Sequence, residues 1–103
     1  MTTWMKCWRM CLVKYRIVIT KKFSSDLKLI KKRGYDISLF REVVLLLSEG
    51  KPLPERNRDH KLSGRLIGYR ECHITPDWLL IYRICEEDLI LFLSRTGTHS
   101  DLF

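Results

Sequence analysis

Three histidines and two carboxylates are the residues in this chain best suited to proton transfer near neutral pH. The histidines are His60, His73 and His99; Glu71 precedes His73 by two residues, and Asp77 follows it by four. Histidine ordinarily titrates close to neutrality, so it can serve as an acid or as a base. A lone histidine is more often a loop or packing residue, but each of these three lies beside a predicted turn or near the chain end. We therefore treat the set as a candidate site.

Two kinds of chemistry use such side chains. One is a metal site of two or three histidines and a carboxylate, but no histidine here has the i, i+4 spacing of an H-E-x-x-H motif. The other is metal-free RNA cleavage, in which the ribose 2′-OH loses a proton, attacks the adjacent phosphorus and expels the 5′-oxygen. This reaction needs a base, an acid and a cation for the phosphorane charge. Arg70 and Arg95 are the candidate cations.

Aromatic and basic side chains accompany this set. Stacking of a base on an aromatic ring is worth roughly 1–3 kcal/mol. The candidates for it are Trp78, Tyr69, Tyr82 and Phe103, of which we expect Tyr82 to pack in the core. Trp78 opens an apolar run and is at least as well explained by core packing, whereas Phe103 ends the chain and favours stacking. The lysines of residues 21–33 suit phosphate contacts, but a solvated helix face explains them equally well.

Size and charge limit the classes to which the chain can belong. Its 103 residues, 46% hydrophobic and 30% charged, fit one small globular domain and not a disordered chain. No apolar run exceeds five residues, far below the about 20 that a membrane span needs. Residues 1–70 carry 17 Lys/Arg and six Asp/Glu, and residues 71–103 carry two and six. The basic part favours a polyanion or an acidic partner.

Apolar periodicity predicts the elements that position the site. Alternation predicts strands over residues 13–19, 69–74, 77–85 and 89–95. Helical spacing predicts two helices, residues 21–33 and 37–49, capped by Thr20 and Asp36. The intervening residues 51–67 are loop-like. The order β-α-α-β-β-β predicts a two-layer α+β domain with both helices on one face of an antiparallel sheet, which leaves the other face free for a site.

Two further expectations concern the N-terminal segment and the cysteines. Residues 1–12 differ in character from the rest, and we expect them to be an extension outside a single domain of residues 13–103. A misassigned start codon explains this segment better than the alternative, a short amphipathic helix. The cysteines include no C-x-x-C pair, which argues against a zinc ribbon. We expect all four to be free thiols in a reducing cytosol, namely Cys7, Cys11, Cys72 and Cys85.

Four segments of the second half resemble the YafQ-type branch of the RelE/ParE toxin superfamily. They are RDHKLSG (58–64), GYRECHI (68–74), PDWLLIY (76–82) and RTGTHSDLF (95–103). The resemblance covers residues 13–103, and the histidine set distinguishes this branch from RelE toxins, which lack it. The resemblance implies a RelE-like fold and the toxin of a bacterial type II toxin–antitoxin pair. Such toxins cut messenger in the ribosomal A site without a metal cofactor.

The resemblance also implies roles for individual residues. His99 and Asp77 correspond to the proton-transfer pair, His60 and His73 assist, and Trp78 and Phe103 orient the messenger, while the division between acid and base stays open. Glu71 stands where relatives often have a carboxylate, which implies a supporting role. The implied partners are an antitoxin, the ribosome and mRNA in the cytoplasm, with no membrane and no small-molecule substrate.

Two alternatives remain open from the sequence. One is a ParE-like toxin of the same fold that inhibits gyrase by binding, and the other is a basic nucleic-acid-binding module; neither needs a set of proton donors. The proposed site also makes a geometric demand on the hairpin after His73. In a plain two-residue turn His73 and Asp77 point to opposite faces of the sheet, so the hairpin must twist or bulge for both to reach one phosphate.

Overall fold

A computed structural model of the chain describes residues 14–103. The expectation for residues 1–12 therefore lies outside the described residues. In chain order the elements are β1 (Arg16–Ile19), α1 (Lys21–Lys32), α2 (Ile37–Ser48), β2 (His60–Lys61), β3 (Arg70–Thr75), β4 (Trp78–Cys85), β5 (Ile90–Gly97) and α3 (His99–Leu102). Short 3₁₀ turns at Glu55–Asn57 and Gly64–Leu66 interrupt the segment that the sequence predicts as loop.

Local chemistry explains where the two long helices begin. Thr20 and Asp36 precede α1 and α2 and accept hydrogen bonds from the backbone N–H groups of Phe23 and Ser38. Each cap satisfies one of the N–H groups that a helix leaves without a partner. Both helices end one residue earlier than the sequence predicts. The caps therefore fix the starting points of the layer that packs on the sheet.

The five strands form one sheet in the order β1-β5-β4-β3-β2. The predicted α+β architecture, with the helices packed on one face of the sheet, is confirmed. One detail differs, because β1 pairs with β5 in parallel whereas the other pairings are antiparallel. Beyond β1, Thr20 donates to the Ser94 carbonyl and α1 begins at once. This direction is set by long-range packing, so no local pattern in the sequence specifies it.

The core lies between the helices and one face of the sheet. Trp78 is fully buried there, with its ring 6.2 Å from that of Phe40 and its Nε1–H donating to Thr96 Oγ1 at 2.8 Å. Cys72 is also buried and unpaired, and burial raises the pKa of its thiol well above the ordinary value. Within the described residues, no helix is both long and apolar enough to cross a bilayer. The thiol of Cys85 is free as well, whereas the other two cysteines lie outside the described residues.

A bulge in β5 decides which of its side chains face the core. Leu91 and Leu93 are buried in the core, and uninterrupted alternation would turn Arg95 to the same side. The register against β4 shifts between Ile81 and Tyr82, so Leu93 pairs with Tyr82 but Arg95 pairs with Ile81. The extra residue on β5 reverses the alternation. Thr96 therefore reaches Trp78 in the core, and Arg95 turns to the outer face.

Candidate active site at the rim of the sheet

Three predicted site residues lie together on the face of the sheet that points away from the helices. Along β3, Cys72 and Ile74 belong to the core, so Glu71 and His73 point outward. His60 on β2 pairs directly with Glu71 and therefore shares its face. The Glu71 Oε1 atom is 3.3 Å from His60 Nε2 and 4.0 Å from His73 Nε2. Glu71 thus joins two imidazoles that are 13 residues apart in sequence.

Both imidazoles present the same nitrogen to Glu71. His60 Nδ1 lies 2.7 Å from the Arg58 carbonyl oxygen, and His73 Nδ1 lies 3.3 Å from that of Pro76. A ring nitrogen meets a carbonyl oxygen favourably only as a donor, so Nδ1 is the donor in each ring and Nε2 is the nitrogen that faces Glu71. Glu71 is only 8% exposed, and a buried carboxylate needs a compensating donor or cation. Either imidazole supplies it in its protonated form.

Asp59 anchors the segment that carries His60. Its Oδ1 accepts hydrogen bonds from Tyr82 Oη at 2.5 Å and from Arg70 Nε at 3.1 Å. Tyr82 lies in the core, where burial first, and then the bond to Asp59, raise the pKa of its hydroxyl well above the ordinary value. Nearby, Asn57 Nδ2 donates to the His73 carbonyl at 2.6 Å. These contacts join the long loop to β3 and β4 and fix the backbone beside two of the histidines.

The hairpin between β3 and β4 contains a bulge. The register shifts between His73 and Thr75, which places an extra residue in β3 just before the turn. Asp77 is exposed in this turn, where it accepts hydrogen bonds from Thr75 Oγ1 at 2.9 Å and from Tyr35 Oη at 3.2 Å. These two bonds, Thr75 first, hold the pKa of Asp77 below its ordinary value. Asp77 is therefore fixed in direction and disposed to be a carboxylate.

Two predicted site residues lie at the two ends of α3. His99 begins this four-residue helix and Phe103 follows its end, with ring centroids 5.1 Å apart. Both side chains are exposed, Phe103 at 58%. Gly97, two residues before His99, pairs with Leu79, which pairs with His73 on its other side. With strands about 4.8 Å apart, the His73 and Gly97 backbones are roughly 10 Å apart, so α3 starts at the same rim.

Three of the predicted substrate-binding residues are placed otherwise than the sequence indicates. Trp78 has no exposed surface, so a base cannot stack on it, and its ring packs against Tyr35 and Phe40. Arg70 points to the helix side of the sheet, where it is paired with Asp59. Arg95 lies on the outer face but binds Asp26 of α1 through Nε at 2.7 Å and Nη2 at 3.1 Å. Neither arginine is a free cation, because each already neutralises a carboxylate.

A basic side chain that the sequence argument passed over lies beside Phe103. A cavity of about 390 Å³ is lined by Ser63, Arg65 and Leu66 from the loop and by Leu102 and Phe103 from the chain end. Arg65 is exposed and makes no ion pair within residues 14–103. In the sequence, the one feature that suggests a binding role for Arg65 is its position in a loop, where binding residues are common.

Other residues that the sequence did not indicate act by holding the site. Asn57, Asp59 and Tyr82 fix the histidine-bearing strands, and Tyr35 fixes Asp77. Their partners are 16 to 42 residues away in sequence, so spacing alone does not reveal them. No group of three or more His, Cys, Asp or Glu side chains in residues 14–103 is arranged to hold a metal ion.

Several known proteins resemble the chain along most of its length. The sequence model of one family, described as a bacterial toxin of type II toxin–antitoxin system, YafQ, matches residues 15–103. The mRNA interferase toxin YafQ of Escherichia coli K12 is 42% identical over 83 residues, which are 80% of this chain and 88% of that protein.

Solved structures agree with the sequence matches. The crystal structure of a metal-bound toxin from Helicobacter pylori superimposes with a TM-score of 0.82 at 45% identity and covers 86% of this chain and 99% of the other. The crystal structure of the E. coli DinJ–YafQ toxin–antitoxin complex gives a TM-score of 0.80 at 39% identity, with 88% and 99% covered. The chain described here therefore belongs to the YafQ family of toxins of bacterial type II toxin–antitoxin systems.

Proposed function

We propose that the protein is an mRNA endonuclease that cuts messenger in the A site of the ribosome, by acid–base catalysis without a metal cofactor. One member of the pair His99 and Asp77 removes the proton of the 2′-OH, and the other protonates the departing 5′-oxygen. His60, His73 and Glu71 assist by holding and passing a proton at the rim. The relative named mRNA interferase supports the substrate class.

The single observation that supports this proposal is the sharing of one carboxylate, Glu71, by two histidines at the rim where α3 begins. The imidazoles of His60 and His73 share Glu71. The exposed His99 begins α3 just after Gly97, which lies across β4 from His73. Proton transfer by positioned groups contributes about 10²- to 10⁴-fold to a reaction rate. A toxin that acts by binding alone has no use for such a set, which disfavours both the ParE-like alternative and a pure nucleic-acid-binding module.

Two basic regions fit an RNA substrate. Arg65 lies beside Phe103 in the cavity next to α3, so its guanidinium can meet a phosphate while the exposed ring of Phe103 stacks on a neighbouring base. This assigns the phosphorane charge to Arg65, since Arg70 and Arg95 are occupied by carboxylates. The outer face of α1 carries exposed lysines that suit ribosomal phosphates, namely Lys21, Lys22, Lys28, Lys31 and Lys32.

The proposal also predicts the partners. A ribosome-directed nuclease poisons the cell that makes it, so a cognate antitoxin must neutralise it. A relative in this family is found in complex with the antitoxin DinJ, and the basic surface here suits an acidic partner that folds on binding. The protein then acts in the cytoplasm, where ribosomes and messenger are.

Cleavage mapping on stalled ribosomes tests the proposal. Purified protein added to ribosomes that carry a defined messenger should give one cut inside the A-site codon, and no cut in the same messenger without ribosomes. His99→Ala should lower the single-turnover rate by about 10²-fold or more, whereas Lys51→Ala, which removes an ion pair with Glu49 just after α2, should not.

Two further assays address the alternatives. If His99→Ala is folded and arrests growth as strongly as the wild type, and DNA supercoiling by gyrase falls in parallel, the gyrase-binding alternative replaces this proposal. Removal of transition metals with a selective chelator, with the Mg²⁺ that ribosomes need retained, should leave the rate unchanged. Loss of activity that Cu²⁺ or Zn²⁺ restores would show that the reaction depends on a metal.

A further inference from the structure

The turn between α1 and α2 touches two separate parts of the candidate site. Arg33 binds both carboxylate oxygens of Asp101 on α3, with nitrogen–oxygen distances of 2.7 and 3.1 Å. Two residues later, the hydroxyl of Tyr35 donates to Asp77 at 3.2 Å. We propose that Arg33 and Tyr35 are positioning residues, which hold α3 and the β3–β4 turn at one separation and so align His99 with Asp77. This inference rests on the proposed function.

Helix α3 needs such an anchor because it is short. Four residues form little more than one turn, and an isolated helix of that length is not stable in water. A capping box between Thr98 and Asp101 closes its N-terminus, but those contacts are local and do not tie the helix to the rest of the protein. The bidentate pair with Arg33 spans 68 residues of sequence and supplies that tie.

Asp101 is held on several sides at once. It accepts from Arg33 and from the Thr98 N–H, and these bonds, Arg33 first, hold the pKa of its carboxyl far below the ordinary value. Gly97 lies against it, since a Cβ added there would stand 3.0 Å from Asp101 Cβ. Asp101 is therefore held in one position. Because His99 lies two residues before it on the same short helix, the position of His99 is fixed as well.

The second contact of the turn fixes the other half of the proton-transfer pair. The Tyr35 ring packs edge-on against the buried Trp78 ring at 5.3 Å, so its hydroxyl is presented from a rigid support. That hydroxyl and Thr75 occupy the two carboxylate oxygens of Asp77. Because Trp78 directly follows Asp77, the support and the supported residue belong to one packed unit.

The turn itself is rigid enough to transmit position. Its backbone N–H groups at Arg33, Gly34 and Tyr35 bond to carbonyl groups of the last turns of α1 at 3.0 to 3.3 Å. Gly34 has φ +85°, a conformation that glycine adopts without strain. The side chains of Arg33 and Tyr35 thus extend from one fixed turn, and they contact α3 and the β3–β4 turn, respectively.

Two other roles for these residues make different predictions. A purely stabilising role predicts a change in melting temperature. Both contacts lie at the surface, and such pairs add little to the stability of the whole domain, so we expect no such change. Direct contact of Arg33 with ribosomal RNA predicts weaker binding of the substrate complex. A positioning role instead lowers the cleavage rate at saturation and leaves the half-saturating concentration of ribosome complex unchanged.

Single-turnover cleavage of messenger on programmed ribosomes, measured over a range of complex concentrations, separates these roles. Arg33→Ala and Tyr35→Phe should each lower the saturating rate by on the order of tenfold, and Arg33→Lys should recover part of the loss. In a variant that already carries Asp101→Asn, Arg33→Ala should lower the saturating rate no further, because Arg33 acts on the site only through its ion pair with Asp101. Tyr15→Phe is the matched control, since it removes a partly buried tyrosine–carboxylate bond to Glu86, just beyond the far end of β4.

A second measurement does not depend on cleavage. Backbone ¹⁵N relaxation should show residues 98–103 as rigid in the wild type and more mobile on the ps–ns timescale in Arg33→Ala, with the melting temperature unchanged. A saturating rate within twofold of wild type for both variants, or a change in half-saturation alone, overturns the inference while His99→Ala remains inactive. If wild type and His99→Ala cleave alike, the proposed function fails instead. In that case, unchanged mobility of residues 98–103 in Arg33→Ala rejects the positioning role of Arg33 independently.

Discussion

Replacement of Trp78 by phenylalanine separates a role in the fold from a role in RNA binding. The resemblance of the sequence to its family implies that Trp78 orients the messenger, whereas the structure places its side chain in the core with no exposed surface. Trp78→Phe keeps an aromatic ring but removes the indole N–H that donates to Thr96 Oγ1 at 2.8 Å. We expect a large loss of stability and only a small loss of cleavage per folded molecule.

The magnitude follows from two effects. The Thr96 hydroxyl donates to the Leu79 carbonyl and loses its buried donor, which costs about 1–3 kcal/mol. The smaller ring leaves a void of roughly 40 Å³, which at about 24 cal/mol per Å³ adds about 1 kcal/mol. The free energy of unfolding should therefore fall by about 2–4 kcal/mol, and the melting temperature of a domain of this size by roughly 10–20 °C.

Denaturant unfolding and single-turnover cleavage, both measured well below the transition, test this expectation. Thr96→Val removes the other half of the same bond, so the double variant Trp78→Phe/Thr96→Val should lose less stability than the two single losses combined. Cleavage by Trp78→Phe should stay within about tenfold of wild type, against the loss of about 10²-fold or more expected for His99→Ala. A variant as stable as wild type that no longer cuts would refute the reasoning, because Trp78 would then have to reach RNA.

Two further changes probe the contacts around the histidines and Asp77. Tyr82→Phe should lower the free energy of unfolding by about 1–2 kcal/mol and slow cleavage through Asp59 and His60; equal stability in urea denaturation contradicts this. A ¹³C-detected titration should give the Asp77 carboxyl a pKa below the ordinary value of about 3.9, and Thr75→Val should raise it, because Thr75 supplies the larger of the two bonds that hold it low. The pKa of Asp77 is lower in the folded than in the unfolded protein, so Asp77 stabilises the fold above about pH 4. This stabilisation is lost as the pH falls through the pKa of the folded protein. Asp77→Asn should therefore be less stable than wild type above about pH 4 and equally stable well below it.

Local pattern was sufficient for most of the fold. Thr20 and Asp36 are small polar residues directly before helical apolar stripes, and both cap helices as predicted. Alternation predicted β3, β4 and β5 to within about two residues at each end. The pattern did not contain the direction of β1 or the two-residue strand β2, because both depend on partners far along the chain.

The site was predictable as a set of residue types and less so as a geometry. The sequence brought Glu71 and His73 to one face through the period of a strand, and the structure adds His60 through the β2–β3 pairing. The face to which Arg95 points depends on a bulge in β5 that no glycine or proline in the sequence indicates. Its partner Asp26 is 69 residues away in sequence. The pairing of Asp59 with Tyr82 is equally remote from local pattern.

Core residues and site residues alternate along the strands of this protein. Residues outside the site therefore fix much of the site's geometry. Asp77 and Trp78 are neighbours with opposite environments, and the alternation that buries Cys72 turns Glu71 and His73 outward. Within residues 14–103 both long helices lie on the other face of the sheet, so the positions of the site residues are set from beneath and from the ends of the strands. Asp59 and Asp101 do this through long-range bonds to Tyr82 and Arg33. Loss of activity in a variant is therefore interpretable only when stability, saturating rate and half-saturation are measured together.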